Sequence, residues 1–114
     1  MRRLEPLLVL LGYAIGSVVL IGRFVLQAPR DSVVGSFGGD QGFFAWSLVH
    51  WAEVLAGNQS PFLTDRIDAP QGFNLAWATT IPGPAVLLAP LTALAGPLVT
   101  YNTLAIAAPA LAAW

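Results

Sequence analysis

The sequence predicts an all-α fold of polytopic transmembrane helices, with an amphipathic interfacial helix in a large first extracytoplasmic loop. Of its 114 residues, 56% are hydrophobic and only 10% are charged, whereas about 25% of an average soluble domain is charged. All eleven charges lie in the first 68 residues, so residues 69–114 form one uncharged tract. A membrane-crossing helix needs about 20 apolar residues, and this tract is long enough for two of them.

The composition also excludes several kinds of site. Because the chain has no cysteine, it can form neither a disulfide nor a thiolate metal site. The sequence has no lysine and no basic patch, so we expect no nucleic-acid partner. The partner that this composition predicts is the lipid bilayer.

The first span is predicted at about residues 7–26, after the basic pair Arg2 and Arg3. A cleaved signal peptide is the alternative, but its apolar region would be shorter and small residues would precede the cut. We therefore expect a retained span in the cell membrane, with a cytoplasmic N-terminus by the positive-inside rule. Arg30 and Arg66 follow the span and weaken this orientation.

Residues 28–80 are then predicted to form the first extracytoplasmic loop. In it, a glycine-rich stretch leads to Asp40, a good helix cap, and to a helix over about 41–56 that ends at Gly57 and Asn58. The apolar stripe of this helix consists of Phe44, Trp51 and Leu55 with Leu48 beside it, and the other flanks carry Ser47, His50 and Glu53. The helix is short and has polar flanks, so we expect it to lie in the membrane interface.

The second span is predicted at about 81–95 and the third at about 98–114, joined by a turn at Gly96 and Pro97. Prolines in the second span are compatible with a transmembrane helix, because neighbouring groups satisfy the freed carbonyls. The third span has neither a charged anchor nor a cap, so we expect the chain to stop inside a helix. Residues 1–114 are thus predicted to be the N-terminal part of one membrane domain, with the remaining C-terminal helices of the same protein as partners.

Asp40 is the main candidate for chemistry. It follows two glycines and precedes an aromatic helix just beyond a predicted span. The simple interpretation is a helix cap, and the functional one is a general base at the membrane surface. A base must be fixed within hydrogen-bond reach of the hydroxyl that it deprotonates, and a helix start provides such fixing, so the two roles are compatible.

A second cluster contains Asp65, Arg66 and Asp68, in a segment rich in turn-forming residues. The simple interpretation is a solvated turn with a surface ion pair. Alternatively, the guanidinium binds the phosphate of a lipid-linked substrate, or the two carboxylates bind a divalent cation, for which they are few ligands. His50 is a weaker binding candidate, since a single histidine on an interfacial helix is more typical of packing or of headgroup contact.

Three stretches carry a family resemblance: Gly39-Asp40-Gln41 before an aromatic helix, Gly57-Asn58-Gln59-Ser60-Pro61-Phe62, and Asp65-Arg66-Ile67-Asp68-Ala69-Pro70-Gln71-Gly72-Phe73-Asn74-Leu75. Together with the order of the predicted spans, they resemble the N-terminal portion of bacterial polytopic membrane glycosyltransferases of the GT-C type, especially their actinobacterial relatives. The resemblance covers nearly the whole chain.

The resemblance implies an enzyme that takes a sugar from a polyprenyl-phosphate donor and passes it to an acceptor outside the cytoplasm. An acidic residue of the first loop is then the base, and Asp40 matches that place. Arg66 would lie near the donor phosphate, with Asp65, Asp68 and His50 as further substrate-binding candidates. Many members have two adjacent acidic residues where this chain has Asp40 and Gln41, which leaves open whether a divalent cation is needed.

The alternative belongs to another class: a non-catalytic polytopic membrane protein, either a transporter component or an assembly partner. In such a protein Asp40 is only a cap and the loop is a surface lid. A transporter is expected to carry ionisable residues at mid-membrane depth, and residues 69–114 contain none. In either case the 114 residues alone are not expected to be active.

Overall fold

A computed structural model describes residues 4–36 and 38–114, which fold mainly into helices. The basic pair Arg2 and Arg3 lies outside these residues. Helices occupy 62% of the structure, so the all-α prediction is confirmed. In chain order the elements are α1 (Glu5–Leu20), a 3-10 turn (Gly22–Phe24), α2 (Asp40–Leu55), β1 (Leu63–Thr64), β2 (Phe73–Asn74), a 3-10 turn (Leu75–Trp77), α3 (Pro82–Leu87), α4 (Ala89–Ala95) and α5 (Pro97–Ala113). Among the described residues, no helix combines the length and the apolar character that a membrane crossing requires.

The segment predicted as one span over 81–95 is two short helices, α3 and α4, that meet at Leu88. Pro90 explains the break, because proline donates no backbone hydrogen bond and its ring clashes with the carbonyl four residues earlier. Pro90 is instead accommodated in the first turn of α4, where the amide has no helical partner in any case. Gly96 then adopts φ +94°, which lets the chain turn directly into α5.

Helix α2 is the packing centre of the fold, since α3, α4 and α5 all contact it. Its buried side chains are those of Ala45, Ser47, Leu48 and His50. Ser47 and His50 were predicted to lie on the polar flanks of α2 and Leu55 on its apolar stripe, whereas Ser47 and His50 are buried and Leu55 is 56% exposed. The difference arises because three helices cover the small side chains of α2, and periodicity in one helix does not reveal where its neighbours lie.

Helices α1 and α5 pack antiparallel. Near the middle of the pair, the Ser17 hydroxyl donates to the carbonyl of Ile106 at 2.5 Å. At one end the Trp114 indole N–H donates to the carbonyl of Pro6 at 2.9 Å. At the other end Asn102 contacts the segment that follows α1. Gly96 and the start of α5 therefore lie at the same end of the molecule as the C-terminus of α1.

The outer face of α1 is apolar and exposed. Its large exposed side chains, continued by those just beyond the helix, are Leu4, Leu7, Leu8, Val9, Leu11, Tyr13, Ile15, Val19, Leu20, Phe24 and Leu26. Soluble monomers rarely expose so much contiguous apolar surface, and such a patch marks contact with a membrane or with another protein.

Candidate functional site

Asp40 is the first residue of α2 and is exposed. Gly39, which has no side chain, occupies the capping position, so Asp40 does not take the predicted capping role. The carboxylate instead lies in the first helical turn, where the positive end of the helix dipole stabilises a negative charge. Asp40 is thus free to face a ligand.

Asp40 opens into a groove of about 490 Å³, here called the Asp40 groove. Its lining is mostly apolar and aromatic, and consists of Asp40, Phe43, Phe44, Ile67, Phe73, Ala78 and Thr79. Phe43 and Phe44 follow Asp40 on α2, while Phe73 comes from strand β2. A single carboxylate against aromatic rings is a common arrangement in small-molecule sites, which are largely apolar with a few placed polar groups.

The loop that presents Asp40 depends on two glycines. Gly35 adopts φ +96°, and a Cβ there would lie 2.8 Å from Nε2 of Gln41. A Cβ on Gly39 would lie 2.7 Å from Oε1 of the same side chain. The Gln41 side chain therefore folds back over the loop, in contact with both glycines.

Asn102 was not among the candidate residues predicted from the sequence. It lies on α5 and forms hydrogen bonds with the loop between α1 and α2, although this loop is about 70 residues away along the chain. Its Oδ1 accepts from the Val34 amide at 2.9 Å, and its Nδ2 donates to the carbonyls of Ser32 at 2.8 Å and Pro29 at 3.3 Å. The one feature of the sequence that could have indicated Asn102 is that it is a polar residue in an uncharged helix. The sequence does not show which groups it contacts.

A second and larger groove, of about 780 Å³, lies between the end of α2 and the hairpin of β1 and β2. We call it the amide groove, because side-chain amides dominate its polar lining. It is lined by Gly57, Asn58, Gln59, Ser60, Leu63, Thr64, Asp65, Pro70, Gln71, Gly72, Phe73 and Asn74. Phe73 lines both grooves, so the two adjoin at this residue.

Arg66 does not pair with its neighbours in the predicted cluster. Its Nη1 donates to Oε2 of Glu53 at 2.6 Å, and both side chains are partly exposed, at 47% and 31%. Glu53 is 13 residues after Asp40 on α2, so their α carbons are about 20 Å apart along the helix axis. The structure therefore holds the Arg66 guanidinium at the opposite end of α2 from Asp40.

Neither of the two remaining acidic candidates lines the Asp40 groove. Asp65 lines the amide groove, and Asp68 is exposed in a turn with φ 56°. Among the described residues, no three acidic, histidine or cysteine side chains cluster closely enough to hold a metal ion. The residues present do not fit a divalent cation site, and we derive no chemical step through a metal.

His50 is buried, with 1% of its surface exposed. Its ring stacks on Trp46 with centroids 4.9 Å apart and meets the edge of Trp51 at 5.9 Å. Within the described chain neither ring nitrogen has a hydrogen-bond partner. Burial lowers the pKa of His50 below 6.5, its ordinary value, and outweighs the nearby Pro61 carbonyl, which raises it. The structure thus places His50 in the core, away from the lining of both grooves.

Comparisons with known proteins add no relative: no family model matches the chain, and no curated protein or solved structure matches it.

Proposed function

We propose that this chain is the N-terminal membrane portion of a GT-C-type glycosyltransferase. In this proposal it transfers a sugar from a polyprenyl-phosphate donor to an acceptor hydroxyl outside the cytoplasm, with Asp40 as general base. The observation that carries the proposal is the exposed Asp40 carboxylate at the start of α2, in a groove lined by aromatic rings. A loop held by Asn102 connects this groove to the apolar helix α1.

The apolar face of α1 supports a position in the bilayer. Helix α1 and the 3-10 turn after it extend roughly 30 Å, taking rises of about 1.5 Å and 2.0 Å per residue, which is comparable to the hydrocarbon thickness of a membrane. Helix α5 lies antiparallel beside it, over roughly 25 Å. We propose these two as the membrane-inserted pair, with the N-terminus cytoplasmic and the α1–α2 loop outside.

This arrangement differs from the three alternating spans of the sequence prediction. Three alternating spans would make the first and third parallel, whereas α1 and α5 are antiparallel. In the proposal α2, the hairpin, α3 and α4 all lie on the extracytoplasmic side, and the chain returns to the membrane only at α5. The first extracytoplasmic segment then extends to Gly96.

The chemistry proposed for Asp40 is a direct displacement. The carboxylate accepts the proton of an acceptor hydroxyl, and that oxygen forms a bond to the anomeric carbon of the donor sugar. The bond from the anomeric carbon to the phosphate oxygen breaks, and the polyprenyl phosphate leaves with the electron pair. The anomeric configuration inverts, and no covalent enzyme intermediate is needed. Phe43, Phe44 and Phe73 offer apolar surface to the faces of the sugar ring.

The donor phosphate needs a positive partner, and Arg66 is our candidate once it leaves Glu53. An exposed ion pair of this kind contributes only about 0–1 kcal/mol. A phosphate that accepts two guanidinium hydrogen bonds can displace one carboxylate oxygen. Arg66 precedes Ile67, which lines the Asp40 groove, so a guanidinium released from Glu53 is next to the chain that borders the reaction site.

The Glu53–Arg66 pair also supports the second candidate, a non-catalytic membrane protein. In a transporter component or assembly partner, this pair would simply join α2 to the hairpin region, and Asp40 would have no reactant. The glycosyltransferase and the non-catalytic protein differ in one measurable property: only the first transfers sugar to an acceptor.

Turnover is tested with the protein from the complete reading frame, in proteoliposomes with radiolabelled polyprenyl-phosphate sugars and an extract of cell-envelope acceptors. We expect labelled sugar to move to the acceptor, and Asp40→Asn to abolish most of the transfer. The matched control is Asp31→Asn, an exposed aspartate outside both grooves. No transfer from any donor in the set would contradict the enzyme proposal and favour the non-catalytic one.

A further inference from the structure

The amide groove has the lining of a carbohydrate site. Its polar side chains carry both donors and acceptors, as the hydroxyl groups of a sugar require. The lining has seven polar residues, which come from the loop after α2 and from the hairpin region, and one aromatic residue, Phe73. The seven are Asn58, Gln59, Ser60, Thr64, Asp65, Gln71 and Asn74. The volume of about 780 Å³ lies within the range of roughly 300–1,000 Å³ found for small-molecule sites.

Several of these polar groups are oriented by hydrogen bonds of their own. The Asn74 Oδ1 accepts from the Ala76 amide at 2.9 Å, which leaves its NH₂ group to donate elsewhere. The Ser60 hydroxyl oxygen lies 3.4 Å and 3.3 Å from the amides of Phe62 and Leu63, which donate to it. Its proton is therefore also available to a ligand.

The floor of the groove is fixed by the hairpin. Leu63 pairs with Asn74, and Thr64 with Phe73, in an antiparallel register. Gly72 has φ +74°, and a Cβ there would lie 3.0 Å from the Thr64 carbonyl oxygen. The close approach of the two strands thus requires glycine at this position, and it holds Phe73 and Asn74 at the surface of the groove.

The charge of the groove selects the class of ligand. In the described chain its lining contains the carboxylate of Asp65 and no arginine, lysine or histidine. Arg66 follows Asp65 directly but is not part of this lining: its guanidinium is bound to Glu53, and in the proposed reaction it turns to the donor phosphate at the Asp40 groove. An anionic ligand such as a phosphate would meet a negative group without a compensating cation, so the lining favours a neutral, hydroxyl-rich molecule.

We propose that the amide groove binds a neutral saccharide chain, and that this saccharide is the acceptor whose terminal hydroxyl reaches past Phe73 to Asp40. Phe73 lines both grooves and so connects them, and an aromatic residue offers apolar surface to a sugar that crosses it. The role of the saccharide as acceptor rests on the proposed function, whereas its binding does not.

Binding is tested by NMR on the ¹⁵N-labelled full chain in lauryldimethylamine oxide micelles, a detergent without a sugar headgroup. The probes are the neutral trisaccharides maltotriose, cellotriose and raffinose, with glucose 6-phosphate as the anionic comparison. We expect saturable shifts of the side-chain amide signals of Asn58, Gln59, Gln71 and Asn74 with at least one trisaccharide. We expect glucose 6-phosphate to bind at least about tenfold more weakly.

Two variants and one control locate the site. Asp65→Ala and Gln71→Ala should each weaken trisaccharide binding by about fivefold or more, because each removes hydrogen bonds to the ligand. Gln27→Ala, which removes an exposed glutamine outside the groove, should leave the affinity unchanged. The proposal is overturned if no trisaccharide gives a saturable response, if both groove variants bind as wild type does, or if the phosphate binds more tightly.

The same variants separate this inference from the enzyme proposal. Asp31→Asn, at an exposed aspartate outside both grooves, should bind the trisaccharide with unchanged affinity and keep the wild-type transfer rate. Saccharide binding without any sugar transfer would overturn the enzyme proposal alone. Sugar transfer that Asp65→Ala and Gln71→Ala leave at the wild-type rate would overturn the acceptor inference alone.

Discussion

The Asn102 side chain on α5 accepts a hydrogen bond from the Val34 amide at 2.9 Å, and so joins the last helix to the loop that leads to Asp40. The same side chain donates to the carbonyls of Ser32 and Pro29, and only 4% of its surface is exposed. One amide group thus satisfies three backbone groups of a loop that has little regular structure. The position of Asp40 relative to the α1–α5 pair depends on this contact.

Replacing Asn102 with alanine should destabilise the protein by about 2–3 kcal/mol, because it leaves partly buried backbone groups without partners. Thermal unfolding in detergent measures the loss, and hydrogen exchange at the Val34 amide should become faster. The matched control is Asn58→Ala, which removes an exposed asparagine and should change stability by less than about 0.5 kcal/mol. Equal stability of the two variants would show that the Asn102 contact carries no energy.

The antiparallel α1–α5 pair predicts which sites are reached from outside the cell. The chain has no cysteine, so single substitutions can be labelled without background. Leu94→Cys, at a position 84% exposed next to the Gly96 turn, should react with an impermeant maleimide on intact cells, as should Asn58→Cys. Leu4→Cys should react only after the cells are permeabilised. If Leu94→Cys reacts only after permeabilisation, three alternating spans replace the proposed pair.

Substitutions of Gly12 in α1 and of Gly22 in the 3-10 turn after it should change stability in opposite directions. A Cβ on Gly22 would lie 2.8 Å from Cδ1 of Ile106, whereas a Cβ on Gly12 meets nothing within 4 Å. Gly12→Ala should therefore stabilise the protein by up to about 1 kcal/mol, through helix propensity. Gly22→Leu should destabilise it by about 1–3 kcal/mol, by forcing α1 from α5. Melting temperatures in the same detergent measure both changes, and a gain for Gly22→Leu would contradict the packing of this pair.

The buried His50 should make stability depend on pH. Burial lowers its pKa below 6.5 in the folded state, so the unfolded chain binds a proton first as the pH falls. Stability should therefore be full above about pH 6.5 and should decline as the pH falls from there towards the folded-state pKa. His50→Phe keeps an aromatic ring between Trp46 and Trp51 and should remove this decline, since the chain has one histidine. Melting temperatures from about pH 8 to about pH 5 test this, and an equal decline in His50→Phe would exclude His50 as its cause.

Local signals in the sequence predicted much of the secondary structure. The helix predicted over 41–56 is present as Asp40–Leu55, and the segment predicted as a span over 98–114 is helical over Pro97–Ala113. These predictions rest on local signals, namely glycine after a helix and proline in its first turn. Such signals affect only a few neighbouring residues, so they can be recognised in the sequence alone. The break at Leu88 was missed, because Pro90 is compatible both with a kinked long helix and with a new helix start.

Contacts between distant residues could not be predicted in the same way. The burial of Ser47 and His50 depends on α3, α4 and α5, and the Glu53–Arg66 pair depends on how the chain returns after α2. The hairpin that forms the amide groove has only two residues in each strand, too few for an alternating pattern. Asp40, by contrast, could be named as a candidate from the sequence, because that prediction required only its position at the start of a helix.

The most direct test of the enzyme proposal is the rate of sugar transfer by Asp40 variants of the complete protein, at saturating donor. If Asp40 is the general base, Asp40→Asn should lower kcat by about 10²- to 10⁴-fold, with the KM for the donor little changed. Asp40→Glu should restore part of the rate, because it retains a carboxylate. Wild-type kcat in an Asp40→Asn protein that is expressed and folded normally would contradict the central role given to Asp40.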